Sequence, residues 1–101
     1  MSAPEVSVAV PAVDLYEGVN DWLILADLPG ASQDQLSLEL ARGVLTLSAP
    51  RREGEVWRRV FRVPESVDAE RVSASVDRGV LRVTLPKRER ERPRKIEVAV
   101  G

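Results

Sequence analysis

Apolar residues in this chain recur at every second position, in short runs broken by turn-forming residues. Val6, Val8 and Val10 alternate with Ser7 and Ala9, and Trp22, Ile24 and Ala26 with Leu23, Leu25 and Asp27. Leu36, Leu38 and Leu40 alternate with Ser37, Glu39 and Ala41, while Leu45 and Leu47 alternate with Thr46 and Ser48. Val72, Ala74 and Val76 alternate with two serines and Asp77, and Leu81, Val83 and Leu85 with Arg82 and Thr84. A period of two sends alternate side chains to opposite faces of a strand, so each run predicts a strand with one face toward a core. Glu17-Gly18 with Asn20-Asp21, Pro29-Gly30, Arg42-Gly43, Glu53-Gly54, Pro64 and Arg78-Gly79 separate the runs as turns. Short strands at this spacing predict an all-β fold, an antiparallel β-sandwich. Helical signal is confined to single turns at residues 32–35 and 68–71.

Within this pattern one unit occurs twice. Offset by 36 positions, Leu36, Leu38, Leu40, Arg42, Gly43, Val44 and Leu45 align with Val72, Ala74, Val76, Arg78, Gly79, Val80 and Leu81. Each copy reads as strand, tight turn at glycine, strand, because glycine accepts the positive φ that such turns require. Internal duplication and convergence of two hairpins on one core both account for the likeness.

A chain of 101 residues is long enough to bury one core without metals or disulfides. The composition narrows its chemistry. There is no Cys, hence no disulfide framework or thiolate, and no His, hence no imidazole base or common transition-metal ligand. The six glycines are scattered singly, without a phosphate-cradling loop. No catalytic, cofactor or metal site is expected, and the chain is not expected to be an enzyme. The net charge of -1 offers no overall pull toward nucleic acid. Arg51, Arg52, Arg58, Arg59 and the basic residues from Arg88 to Lys95 are interleaved with Glu53, Glu55, Glu89 and Glu91, which fits a solvated surface. No run approaches the ~20 apolar residues of a membrane span, and no signal-peptide pattern opens the chain. A cytoplasmic protein is the expectation, without nucleic-acid or membrane partners.

Two segments break the one-face pattern. In EVWRRVFRV (residues 55–63) Trp57, Phe61 and Val63 share one face with Arg59, while Val56, Arg58, Val60 and Arg62 share the other. Arginines on both faces suit an edge strand, either solvated or met by a partner chain. KRERERPRK (residues 87–95) has no apolar residue but Pro93 and is expected to be an extended linker. Beyond it Ile96 and Val98, two apart, project to one side of an extended chain. They read either as a docking tail for two adjacent holes or as a last strand of the same domain.

The ordered set of motifs resembles the α-crystallin domain of small heat-shock proteins. ASVDRGVL (residues 74–81), carrying Ala74, Gly79, Val80 and Leu81, is similar to that family's A-x-x-x-n-G-V-L signature. PAVDLYE (11–17) resembles the opening strand of bacterial members, ADLPG (26–30) a family turn, and GVLTL (43–47) and RVFRVP (59–64) the middle strands. IEV (96–98) is similar to the C-terminal I-x-I/V motif. The resemblance implies an immunoglobulin-like sandwich over residues 11–86, flanked by an N-terminal arm (1–10) and a C-terminal extension (87–101). It implies an ATP-independent holdase that binds non-native client proteins and suppresses their aggregation. It places Ile96 and Val98 in a groove walled by Leu36, Leu38 and Leu40 on one side and Val72, Ala74 and Val76 on the other. Arg59, with Trp57 and Phe61, is placed at a dimer edge. A co-chaperone sandwich that docks on a folded chaperone partner is the alternative reading.

Two departures shape the expected assembly. Bacterial members of the family carry a long loop holding a strand that crosses to a partner, whereas only the seven residues 49–55 are available here. They suffice for a hairpin turn, so homodimerisation is expected at the 56–63 edge, as in animal-type members, or to be weak. The ten-residue arm is short for the family, and with two Trp, one Tyr and one Phe little aromatic surface is expected for large assemblies.

Overall fold

The computed structural model describes residues 7–52, 54–91, 93, 96, 98 and 99. Val6, Glu53, Arg92, Arg94, Lys95 and Glu97, named in the reading above, lie outside the described residues. Eight strands form: β1 (Ser7–Ala9), β2 (Val13–Glu17), β3 (Asp21–Asp27), β4 (Ser37–Ala41), β5 (Val44–Arg52), β6 (Glu55–Arg62), β7 (Ser73–Asp77) and β8 (Val80–Pro86). They make two four-stranded sheets, β1-β6-β5-β4 and β2-β3-β8-β7. The described residues contain no α-helix; single 3-10 turns lie at Gln33–Gln35, Ala69–Arg71 and Glu89–Glu91. None of the helices found is long and apolar enough to cross a membrane.

The alternation sets the packing. The register aligns Leu40, Leu45 and Phe61 across one sheet, and Leu38, Leu47 and Arg59 beside them. In the other sheet it aligns Leu15, Ile24, Val83 and Ala74. Ile24, Ala26, Leu28, Leu45, Leu47, Val67, Leu81, Val83 and Leu85 close on one another as a single core. Fully burying one such aliphatic side chain is worth about 1.5–3 kcal/mol, so the inner strands β3, β5 and β8 supply most of the cohesion. The two repeated hairpins turn identically. Arg42 and Gly43 take φ of 52° and 75°, Arg78 and Gly79 of 51° and 79°. Positive φ at both central residues of a two-residue loop matches the twist of the flanking strands.

Three findings differ from the sequence reading. The 55–63 segment is not an edge along its whole length, because β1 pairs in parallel with Glu55–Trp57, Ala9 facing Trp57. Among the described residues only the stretch from Arg58 onward keeps an open outer side, since the chain leaves β1 through the buried Pro11 to enter the other sheet. That parallel pair also interrupts an otherwise antiparallel architecture. Finally, the mixed-charge run begins as ordered chain: the Lys87 amide donates to Asn20 O and the Arg88 amide to Ser66 O, ahead of the turn at Glu89–Glu91. A run without apolar periodicity hides this, because backbone bonds to the body, not burial, hold it.

Candidate functional site

Leu36, Leu38 and Leu40 lead into and lie on β4, the outer strand of one sheet; Val72, Ala74 and Val76 hold the same places at β7, the outer strand of the other. The two strands belong to different sheets and pair with nothing on their outer sides among the described residues. The seam between them is therefore closed only by side chains. Leu36, Leu38, Leu40, Val72 and Val76 are half-buried against the core, while Ala74 is exposed. Leucines form one wall; the other is made of smaller residues. Beside Leu40 lies a cleft of about 360 Å³, lined by Leu40, Val63, Pro64 and Val67 together with Arg42, Arg88 and Arg90. Those arginines come from a turn and from the mixed-charge run, too far apart in sequence for any motif to join them.

Ile96 and Val98 are each 81% exposed and do not occupy this seam. The signature residues do not form one site. Gly79 is at the β7–β8 turn, where its carbonyl accepts the Leu28 amide at 2.7 Å; Leu81 is in the core; Val80 faces out. The signature is thus a structural corner that sets the β7 wall at its angle.

The opposite flank holds the residues assigned to a dimer edge. Trp57 pairs with Ala9 of β1, and among the described residues its buried indole Nε1 has no hydrogen-bond partner. Arg59 points inward beside Phe61, its guanidinium 5.4 Å from the ring centre. Arg51 lies 4.7 Å over Trp57 and the Lys87 ammonium 4.6 Å over Trp22, where it also meets Glu17 at 2.9 Å. Three of the four aromatic rings thus carry a cation. Tyr16 is the fourth, and it stands exposed on β2. Leu15, Tyr16 and Val60 make this flank partly apolar. The resemblance of residues 11–17 to a family strand marked β2, but nothing in it marked these side chains as solvent-facing. Among the described residues no group of three or more Asp, Glu, His or Cys is placed to hold a metal ion.

Comparison with known proteins places this architecture. The model of the Hsp20/alpha crystallin family matches residues 14–99. The chain is 33% identical to an 18 kDa antigen of Mycobacterium leprae, over 92% of this chain and 72% of that protein. It is 35% identical to a probable 15 kDa heat shock protein of Leptospira interrogans, over 68% of this chain and 63% of that one. Among solved structures, a small heat-shock protein from Xylella fastidiosa, described as having a distinct high order structure, superposes with a TM-score of 0.74. It shares 30% identity, covering 91% of this chain and 98% of the other.

Proposed function

The chain belongs to the Hsp20/alpha crystallin family, whose members are non-enzymatic chaperones, and from that premise we propose that it is an ATP-independent holdase. The observation that supports this most is the unpaired aliphatic seam between β4 and β7, lined by Leu36, Leu38, Leu40, Val72, Ala74 and Val76. Such a seam does no chemistry. It offers apolar contact to an extended segment with aliphatic side chains on one face, which a partly unfolded client exposes and a folded protein does not. The cations seated on three of the four aromatic rings favour aliphatic contact over aromatic stacking as the mode of capture.

The chain's own Ile96 and Val98 have the spacing and chemistry of an occupant. Seating both contributes about 1.5–3 kcal/mol each. Ordering the connecting residues costs on the order of 1 kcal/mol per residue. The two nearly balance, so one tail in one seam exchanges, and clients compete with it. Several such contacts in an assembly hold firmly through effective concentration. Self-association, as a pair or a larger assembly, uses the outer side of β6 near Arg59 and Phe61.

The test is light scattering of a heat-unfolding client without nucleotide. Ala74→Arg places a charged side chain in the seam at an exposed position, so the fold is kept. The expected outcome is suppression by the native chain and its loss, by about fivefold or more in the amount required, in the variant. Equal suppression by both would end the assignment of the seam.

A further inference from the structure

Opposite the β4/β7 seam, the sandwich is one strand short. In one sheet β2 is outermost; in the other β1 stops at Ala9, opposite Trp57, and leaves residues 58–62 of β6 without a neighbour among the described residues. Leu15 and Val60, 63% and 54% exposed, stand on these two open edges, beside a crevice of about 120 Å³ floored by Trp22, Phe61, Val63 and Leu85. The edges differ in charge: β2 carries Asp14 and Glu17, and the free length of β6 carries Arg58, Arg59 and Arg62.

Charge decides which edge meets which. Pairing β6 with the same strand of a second copy, antiparallel about Val60, sets Arg58 opposite Arg62 twice, and like charges directly opposite destabilise a ladder. We infer that the open edge of β6 is instead the receptor for β2 of a second copy, paired antiparallel. In the register that keeps inward residues with inward ones, Arg62 meets Asp14 of the second copy, Phe61 meets Leu15, Val60 meets Tyr16 and Arg59 meets Glu17. Two opposite-charge pairs flank two apolar pairs, and the leucine and phenylalanine close over the crevice. Glu17 keeps its Lys87 contact at one oxygen and is still 61% exposed. Both edges lie on the same flank, so β2 of the first copy comes to face β6 of the second in the other layer, and the contact is reciprocal and closes as a two-fold pair. This deepens the self-association proposed above and rests on it. It replaces β6-to-β6 pairing with β2-to-β6 pairing.

The experiment is sedimentation of the full chain against concentration and salt. Asp14→Arg and Arg62→Asp both change exposed side chains and leave the fold intact by circular dichroism. Each alone is expected to weaken association about fivefold per contact, the size of one good cross-strand pair. An equimolar mixture of the two is expected to recover most of the loss. Unchanged association of Asp14→Arg, a mixture no better than its components, or a native chain that stays monomeric throughout would each overturn the pairing. Aggregation suppression measured on the same samples separates the two readings. A chain that assembles as described yet protects no client refutes the holdase and leaves the edge pairing standing.

Discussion

The hairpins β4–β5 and β7–β8 share a sequence pattern, a turn and a place at the same side of the sandwich, one in each sheet. Their inner strands are interchangeable in character: Leu45 and Leu81 follow the same Arg-Gly-Val and are 2% and 0% exposed. Their turn carbonyls do the same work, Gly43 O accepting the Val63 amide at 2.8 Å and Gly79 O the Leu28 amide at 2.7 Å. Their outer strands differ. β4 turns leucines toward the seam, while β7 turns Val, Ala and Val. Repetition is strict where a core or a turn demands one residue, and relaxed where the strand faces open space. The slot proposed between them rests on that inequality, leucines on one wall against smaller residues on the other.

That comparison can be broken at the core first. Leu45→Ala and Leu81→Ala are each expected to cost about 2–5 kcal/mol in urea unfolding, since each empties a buried site, and to agree within about 1 kcal/mol. A large gap between them would show that the two hairpins are not equivalent anchors.

The turns give a smaller, asymmetric effect. Valine at position 43 or 79 meets the strain of a branched residue at positive φ, on the order of 1–3 kcal/mol. At Gly79 an added Cβ also lies 3.5 Å from Pro29 Cα and 3.6 Å from Leu28 O, whereas at Gly43 it meets only Val63 O at 3.8 Å. Gly79→Val is therefore expected to exceed Gly43→Val by about 1 kcal/mol or more, because its methyls must displace backbone. Equal losses would mean that the Leu28–Pro29 corner yields.

Much of this was legible in the residues, for physical reasons. Period-two runs give every core strand, because burial on one face is what alternation records. Arg-Gly pairs give the two turns, because few residues tolerate positive φ. The walls of the seam were named from a resemblance, and their residues lie at the outer strand of each sheet. The rest depends on contacts without periodic signal. Ser7–Ala9 is too short to declare a partner, so its parallel pairing with β6, and the half-covered edge that results, could not be read. Arg42, Arg88 and Arg90 gather at the cleft beside Leu40 only through the path of the chain after Pro86. Arg59 was correctly read on the face of Trp57 and Phe61, but not as a cation set against an aromatic ring.

The slot itself can be tested most directly by nuclear magnetic resonance. A peptide spanning residues 93–101 would be titrated into the chain carrying Ile96→Ser and Val98→Ser, whose own tail cannot compete. The expected result is saturable shifts, with weak affinity, at the methyls of Leu36, Leu38, Leu40, Val72, Ala74 and Val76. The Leu15 and Val60 flank should remain unperturbed. Shifts confined to that flank, or none at any concentration, would contradict the slot.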